Sequence, residues 1–239
     1  MLKKHTSDKS GKTKKYKNSL LLSEPFEWTE KQSEMIKIMT DHQTRAVFVE
    51  GPAGTGKTHS SVFAGLSLIQ QAKTKNLVYV RSIVEASHNN MGFLPGSLED
   101  KEAPYMEVFK DTLDQILTPE LSKQLLDERV VQTISTSFIR GKTLRDAFII
   151  VDEAQNMDSH SLISIITRIG DGSKIVFLFD PKQSDLKSGN KQKDITKFSQ
   201  IFDTPQAIDM GIHSRKFTSD DIMRSAFCKF VVQEIDKHY

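Results

Sequence analysis

Short apolar runs alternate with amphipathic segments along most of this chain. From residue 46 onward, runs rich in Val, Ile, Leu and Phe predict buried strands at residues 46–49, 77–80, 130–134, 148–151 and 175–179. Apolar residues at helical spacing predict helices at residues 57–73, 104–117, 119–127 and 159–169, and a last helix from about residue 219. Residues 81–103 contain Gly92, Pro95 and Gly96, break both patterns and predict a loop-rich insertion.

The order of these elements predicts the fold class. Strands that alternate with helices and are apolar on both faces are typical of a mostly parallel sheet with helices on each side. The pattern therefore predicts a doubly wound α/β core. No internal repeat interrupts it, so we expect one large domain in a chain of 239 residues.

Charge is distributed unevenly along the chain. The net charge is +2, yet residues 1–18 contain seven Lys and only one Asp. Without periodic apolar residues, this stretch is not expected to fold by itself. We therefore predict a basic, disordered tail over residues 1–22 and a single domain over residues 23–239. The tail either holds nucleic-acid phosphates by counterion release or acts only as a solubilising arm.

Composition indicates the cellular compartment of the protein and limits the kinds of metal site that are expected. The longest apolar runs are far too short to cross a bilayer, and the Lys-rich start lacks the apolar segment of a secretory signal. A single cysteine, Cys228, rules out an internal disulfide framework and suits a reducing compartment. We expect a cytoplasmic protein, either of a bacterium or, for a viral protein, in the cytoplasm of the host cell. The seven His lack metal-ligand spacing, so no structural zinc is expected.

The segment GPAGTGKT carries the most specific chemical signal. It matches G-x-x-x-x-G-K-[ST] between a predicted strand and a predicted helix. Its residues are Gly51, Pro52, Ala53, Gly54, Thr55, Gly56, Lys57 and Thr58. The glycines let backbone amides turn inward and form an anion-binding concavity. Lys57 can reach the outer phosphates of ATP, and the Thr58 hydroxyl suits Mg²⁺. The segment therefore predicts a phosphate-binding loop.

Two carboxylates follow directly after the predicted strand at residues 148–151. Asp152 and Glu153 would be costly at the end of a core strand unless a cation or water meets them. Beside a phosphate-binding loop, Asp152 is predicted to hold Mg²⁺, and Glu153 to orient and deprotonate the attacking water. The alternative for Glu153 is that it only opens the following helix, where acidic residues suit the helix dipole.

Longer segments resemble one family of P-loop ATPases. With the phosphate-binding loop, DEAQ at residues 152–155 resembles the helicase-like branch of these ATPases. Residues 84–105, which contain GFLPG, and residues 138–156, 167–170 and 173–186 are similar to the PhoH family. The resemblance covers most of the chain from residue 29. It implies a three-layer RecA-like P-loop NTPase with a mostly parallel central sheet, which hydrolyses ATP with Mg²⁺.

The resemblance implies two further catalytic residues beside Lys57 and Glu153. Gln183 matches a residue that senses the γ-phosphate and couples it to bound polymer, although it could be only a polar residue of a loop. Arg224, in DIMRSAF, matches an arginine that contacts the γ-phosphate, where a fixed charge meets a developing one. Without that motif, an arginine on the predicted last helix would be an ordinary solvated residue.

Gln32 has two competing interpretations. By resemblance it matches the adenine-recognising Gln of superfamily 1 helicases, since a side-chain amide can donate to and accept from the adenine edge. It is also the last residue of TEKQ, a capping box that would start a helix at Glu30. The adenine contact is the expectation, although one amide cannot fully serve both roles.

Polar residues near predicted strand ends are candidate nucleic-acid contacts, namely Arg81, Arg140, Lys142 and Thr143. Ligands of open sheets bind at the carboxyl ends of strands, so contacts to phosphates of single-stranded RNA or DNA are expected there.

One RecA-like lobe cannot grip and release a strand in turn, which favours a homo-oligomer. In that case we hypothesise that Arg224 acts on the ATP of a neighbouring subunit. Two alternatives stay open: a nucleic-acid-binding module that uses ATP as a switch, and a small-molecule kinase.

Overall fold

The computed structural model of the protein describes residues 16–17, 20, 22–23, 27–81, 98–139, 143–183 and 194–238. The helices are α1 (Glu30–Thr40), α2 (Lys57–Gln70), α3 (Leu98–Ile116), α4 (Pro119–Asp127), α5 (Thr136–Ile139), α6 (Ser159–Ile166), α7 (Asp194–Ile201), α8 (Pro205–Asp209) and α9 (Ala226–His238). The strands are β1 (Ala46–Glu50), β2 (Asn76–Arg81), β3 (Val131–Ser135), β4 (Ala147–Asp152), β5 (Lys174–Phe179) and β6 (Ile212–Lys216). Short 3₁₀ turns at Ala154–Asn156, Pro181–Gln183 and Ser219–Asp221 follow β4, β5 and β6.

The strands in the described part of the chain form one parallel sheet. Their order is β3-β2-β4-β5-β1-β6, and every pair of neighbours is parallel. Glu50 of β1 lies opposite Phe179 of β5, and Arg81 of β2 lies opposite Asp152 of β4. The carboxyl ends therefore meet at one edge of the sheet. The predicted α/β fold with a mostly parallel sheet is confirmed.

Apolar clusters cover both faces of the sheet. Alternate strand residues point to opposite faces: Val47 and Val49 of β1 pack with helices α1 to α4, whereas Phe48 lies in the cluster on the other face. There, Phe48 stacks on Phe177 of β5 with ring centroids 5.0 Å apart. Such burial on both faces explains the unbroken apolar runs of the central strands. Across the described residues, no helix combines the length and apolar character needed to cross a membrane.

The predicted elements differ from the structure mainly toward the C-terminus. The hydrophobic pattern does not predict β6, because IHSRK is a half-buried edge strand without an apolar run. The last helix begins at Ala226 rather than near residue 219. Residues 219–221 form a 3₁₀ turn instead, held by Asp221, whose carboxylate accepts from the Thr218 backbone N–H at 2.8 Å. Along α9, Phe227 and Phe230 are exposed.

Two residues of the predicted tail belong to the core. Tyr16 and Leu20 are only 3% and 1% exposed. The Tyr16 hydroxyl donates to Glu128 Oε2 at 2.7 Å, and Gln70 Nε2 donates to the Leu20 carbonyl at 2.6 Å. The predicted tail therefore includes two residues that pack in the core, which its Lys-rich composition did not indicate. Residues 1–15 lie outside the described part of the chain.

Gly211 provides a test of how β6 is held beside β1. Its φ is +79°, and its carbonyl accepts from the backbone N–H groups of Arg45 and Ala46. A Cβ at this position would overlap the carbonyl oxygen of Gln43. We expect Gly211→Ala to lower the free energy of unfolding by about 3 kcal/mol, because left-handed strain and a backbone clash add. Urea unfolding followed by circular dichroism measures this loss.

The matched control is Gly172→Ala. Gly172 has a similar φ of +70°, but its Cβ would first meet the Asp146 carboxylate, which can rotate away. We expect a loss of about 1 kcal/mol here, from the left-handed conformation alone. Equal losses in the two variants would contradict the importance of the close approach between Gly211 and Gln43.

Candidate nucleotide-binding and hydrolysis site

The segment 51–58 forms a tight loop between β1 and α2. Gly54 and Gly56 have φ values of +85° and +75°, a region that glycine enters without the strain of other residues. The Thr55 hydroxyl donates to the Pro52 carbonyl at 3.0 Å and closes the loop on itself. Because α2 begins directly after Gly56, the positive end of its dipole and its first N–H groups face the loop. This is the geometry that the sequence motif predicts.

Lys57 lies folded against the same loop. Its Nζ donates to the carbonyls of Gly51 and Pro52 at 2.6 and 2.8 Å. Burial lowers the pKa of Lys57, and the Asp152 carboxylate is the largest of the charges that oppose this shift. The cation is thus held between the loop and the carboxylates that follow β4 and β5.

Asp152 ends β4 and meets donors from three elements. Its Oδ2 accepts from the Thr58 hydroxyl of α2 at 3.1 Å and from the Tyr79 hydroxyl of β2 at 2.8 Å. Its Oδ1 accepts from the backbone N–H of Glu153 at 2.9 Å. The structure therefore brings together Thr58 and Asp152, the two predicted metal ligands. Tyr79 is a site residue that the sequence patterns did not reveal.

Glu153 has a strained backbone and a partly buried carboxylate. Its φ is +55°, a left-handed conformation that costs a residue with a Cβ about 1–2 kcal/mol. Its Oε2 accepts from Gln155 Nε2 at 2.6 Å, and its Oε1 lies 3.8 Å from the Arg81 guanidinium. Burial, and then the charge of Asp152, raise the pKa of Glu153. Residues with backbone strain of this kind are found most often at functional sites.

Gln155 joins the carboxylate of Glu153 to the end of the neighbouring strand. It is buried, and its Oε1 accepts from the Asp180 backbone N–H at 3.1 Å, just after β5. The sequence patterns gave Gln155 no role beyond its place in DEAQ. A polar residue two positions after a predicted catalytic carboxylate was the available signal.

Gln183 and Arg224 lie in different surroundings. Gln183 ends the 3₁₀ turn after β5 and is exposed. Its role as a sensor of the γ-phosphate stays a prediction. Arg224 precedes α9, and the prediction that a helix carries it is wrong. The backbone N–H of Met223 donates to the Gly54 carbonyl at 2.9 Å. A Cβ on Gly54 would lie 3.0 Å from Arg224 Cδ, so the Arg224 side chain packs on the loop of its own chain.

The surroundings of Gln32 disagree with the predicted adenine contact. Gln32 is fully buried, its Oε1 accepts from the Thr29 backbone N–H at 3.0 Å, and its Nε2 donates to the Thr55 carbonyl at 2.8 Å. The Thr29 hydroxyl accepts from the Gln32 N–H in return, so the capping box is complete. Gln32 therefore connects the start of α1 to the phosphate-binding loop.

The two candidate nucleic-acid residues that the structure describes, Arg81 and Thr143, lie apart. Arg81 lies at the carboxyl end of β2, beside Glu153. Thr143 is exposed at the opposite edge of the sheet, where Leu144 pairs with Ile169 before β4 and β5 begin. Thr143, which was expected at a carboxyl end or an edge of a strand, therefore lies at the edge where β4 and β5 begin, and its contact with nucleic acid stays a prediction. Arg140 and Lys142 lie outside the described residues.

The oxygen donors of the site fit a magnesium nucleotide. Among the described residues, no group of three or more His, Cys, Asp or Glu side chains could enclose a metal. Mg²⁺ does not need such a group, since it binds through one or two protein oxygens, waters and the phosphates of its nucleotide. The hydroxyl of Thr58 and the carboxylate of Asp152, 3.1 Å apart, are such oxygens.

The sequence matches a known protein family over most of its length. The family model described as PhoH-like protein matches residues 27–236. The chain belongs to the PhoH family. The resemblance inferred from the motifs is thereby confirmed.

Curated relatives of this PhoH-family chain are longer proteins. The PhoH-like protein of Mycobacterium tuberculosis is 36% identical over 186 residues, which are 78% of this chain and 51% of the relative. The PhoH-like protein of Bacillus subtilis is 32% identical over 191 residues, which are 80% of this chain and 58% of the relative. The chain thus spans little more than half the length of these relatives.

A solved structure with a similar fold is the large terminase of a thermophilic bacteriophage. The TM-score is 0.51 at 15% sequence identity, and the match covers 87% of the PhoH-family chain and 50% of the terminase chain. At this identity the likeness concerns the fold alone. It agrees with the RecA-like P-loop architecture that the PhoH resemblance implies.

Proposed function

We propose that this PhoH-family chain binds ATP with Mg²⁺, hydrolyses it, and couples the turnover to a single-stranded nucleic acid. One observation carries the proposal. At the carboxyl edge of the sheet, Lys57 and Thr58 of the loop lie beside Asp152, which ends β4, and Glu153, which follows it, with Thr58 and Asp152 directly hydrogen-bonded. Phosphate, metal and water ligands thus converge where open α/β sheets bind nucleotides.

The phosphates of ATP would bind across the loop 51–58. Its inward amides and the N-terminus of α2 offer donors to phosphate oxygens. Lys57 Nζ donates to two loop carbonyls, and phosphate oxygens would replace these acceptors with charged ones. The lowered pKa of Lys57 supports this role, since a partly desolvated ammonium gains most from an anionic partner.

Thr58 and Asp152 would hold the magnesium. The Thr58 oxygen can face the metal while its hydroxyl still donates to Asp152, and Asp152 would accept from a metal-bound water. A magnesium ion held by these residues would supply positive charge that offsets the charge of the nucleotide phosphates.

Glu153 is proposed as the general base. A water oxygen attacks the γ-phosphorus, Glu153 accepts the water proton, and the bond to the β–γ bridging oxygen breaks with its electron pair leaving on ADP. Gln155 orients Glu153 through Oε2, whereas Oε1 is 3.8 Å from Arg81, beyond hydrogen-bond distance. Oε1 is therefore the oxygen suited to receive the proton.

Two further side chains would complete the γ-phosphate surroundings. Arg224 lies over Gly54 and can turn its guanidinium toward the charge that develops on the transferred phosphoryl group. Its contact with its own loop favours action within one chain, in contrast to the hypothesis of a neighbour's ATP. Gln183 would sense the γ-phosphate from the turn after β5.

Coupling to nucleic acid is supported by the position of Arg81. Its guanidinium side chain is 25% exposed and lies beside the proposed base, so a polymer phosphate bound to Arg81 would change the surroundings of Glu153. The predicted contacts of Arg140 and Lys142, and the seven Lys of residues 1–18, would add counterion release. A homo-oligomer, in which two copies of the RecA-like lobe grip a strand in turn, is part of the proposal.

The test is steady-state ATP hydrolysis with Mg²⁺, in the absence and presence of single-stranded RNA or DNA. Lys57→Ala, which loses the phosphate cation, serves as the inactive control. We expect turnover that one polymer raises severalfold and that Lys57→Ala lacks. Turnover that ignores both polymers would reject the coupling and keep the ATPase. Wild-type protein that binds ATP but is as inactive as Lys57→Ala would favour the ATP-switch module, and phosphate transfer to a small molecule would favour a kinase.

A further inference from the structure

Tyr79 carries a polar hydroxyl in the middle of β2, where its neighbours Leu77, Val78 and Val80 are aliphatic. It lies in β2 opposite Ile150, two residues before Arg81, which lies opposite Asp152. Residues two apart share one face of a strand. The long Tyr79 side chain therefore runs along that face toward Asp152, and its hydroxyl donates to Asp152 Oδ2 at 2.8 Å. Tyr79 is only 3% exposed, so most of its side chain is shielded from water.

The ring of Tyr79 is fixed from the side of α3. It stacks on Phe109 with ring centroids 4.2 Å apart, and Phe109 is itself fully buried at 1% exposure. The hydroxyl of a tyrosine carries its proton at neutral pH, and that of Tyr79 donates to the Asp152 carboxylate. A stacked, protonated tyrosine is thus a rigid donor to the carboxylate.

The donors are divided unequally between the two oxygens of Asp152. Oδ2 accepts from both Tyr79 and Thr58, which use its two lone-pair directions, whereas the donor that Oδ1 meets among the described residues is the backbone N–H of Glu153. Rotation of the carboxylate would break the contacts to Oδ2. Oδ1 is therefore the oxygen left to accept from a metal-bound water.

We infer that Tyr79 is a positioning residue of the metal site, which fixes the rotation of the Asp152 carboxylate so that Oδ1 faces the metal and its water. This inference rests on the proposed function, in which Asp152 holds the magnesium of ATP. Groups that orient a metal-binding side chain commonly change metal affinity when they are removed. The packing role of Tyr79 needs only the ring, and the positioning role needs the hydroxyl.

The experiment compares the Mg²⁺ dependence of nucleotide binding in wild type and Tyr79→Phe. The probe is fluorescent N-methylanthraniloyl-ADP, titrated in EDTA and at increasing Mg²⁺. We expect Tyr79→Phe to need about tenfold more Mg²⁺ for the half-maximal effect, with affinity in EDTA unchanged. Saturating Mg²⁺ should restore most of the ATP turnover. Thermal unfolding shows that the variant is folded.

Tyr16→Phe is the matched control. The Tyr16 hydroxyl is also a donor to a carboxylate, Glu128 Oε2 at 2.7 Å, and Tyr16 is also 3% exposed, but it lies at the opposite edge of the sheet. A Mg²⁺ shift in Tyr79→Phe without one in Tyr16→Phe supports the inference. Wild-type Mg²⁺ dependence in folded Tyr79→Phe overturns it, as do equal shifts in both variants or weakened binding in EDTA. Wild-type protein that binds no nucleotide would instead overturn the proposed function itself.

Discussion

Glu153→Gln is expected to lower ATP turnover by about a thousandfold while nucleotide binding is retained. The amide of Gln cannot accept the proton of the attacking water, so the general base is lost. Shape is preserved, because Gln has the length of Glu and its oxygen can still accept from Gln155 Nε2, as Glu153 Oε2 does at 2.6 Å. The metal residues Thr58 and Asp152 are unchanged, so ATP and Mg²⁺ should still bind.

Two measurements separate these effects. Phosphate release gives the turnover number, and N-methylanthraniloyl-ADP fluorescence gives the affinity. Glu34→Gln is the matched control, since Glu34 also loses a charge that faces an arginine, Arg215 at 3.1 Å, but lies on the exposed surface of α1. We expect that control to turn over ATP like wild type. Hydrolysis by Glu153→Gln at the rate of wild type would reject Glu153 as the base and favour its role in opening the turn after β4.

The parts of the site that could be predicted from the sequence are those whose geometry is local. The loop 51–58 needs glycines that accept positive φ and a helix that starts directly afterwards. Consecutive residues of the sequence meet both requirements. Asp152 and Glu153 follow an apolar strand, so their place at the end of a buried strand was also a local inference. The parallel sheet then brings the two segments together, since β1 and β4 are separated only by β5.

Contacts between segments that are distant along the chain were harder to predict from the sequence. The adenine contact of Gln32 competed with a capping box in the same four residues, and the structure satisfies the capping box. Thr143 was expected at a carboxyl end or an edge of a strand, and the direction of the crossing from β3 to β4 puts it at the edge where β4 begins. The hydrophobic pattern does not show in which direction the chain crosses the sheet, so it cannot place a single loop residue.

Tyr79 illustrates a different limit. A tyrosine in a run of Leu and Val has the pattern of a core residue, and its ring does pack in the core against Phe109. Only its hydroxyl belongs to the site, because β2 pairs with β4 in a register that lets it reach Asp152. The strand order, with β2 next to β4 rather than β1, decides this contact, and strand order is a property of the whole fold.

Arg224→Ala is expected to lower ATP turnover by at least about a hundredfold, with a smaller effect on nucleotide affinity, because a guanidinium at the γ-phosphate acts mainly on the transition state. The Arg224 side chain lies against Gly54 of its own phosphate-binding loop, and the Met223 backbone N–H holds that position through the Gly54 carbonyl. Phosphate release measures the loss. Arg145→Ala removes an exposed arginine at the opposite edge of the sheet and should leave turnover unchanged.

Mixed assemblies distinguish action within one chain from action on a neighbour. Arg224→Ala and Glu153→Gln are each expected to be nearly inactive, and co-expression with two different tags yields any assembly that contains both. If Arg224 serves its own site, every site in the mixture lacks either the arginine or the base, and turnover stays at the level of the separate variants. Recovery of turnover in the purified mixed assembly would contradict this, since an intact Glu153 would then be receiving an arginine from the other chain. The contact with Gly54 within one chain favours the first result.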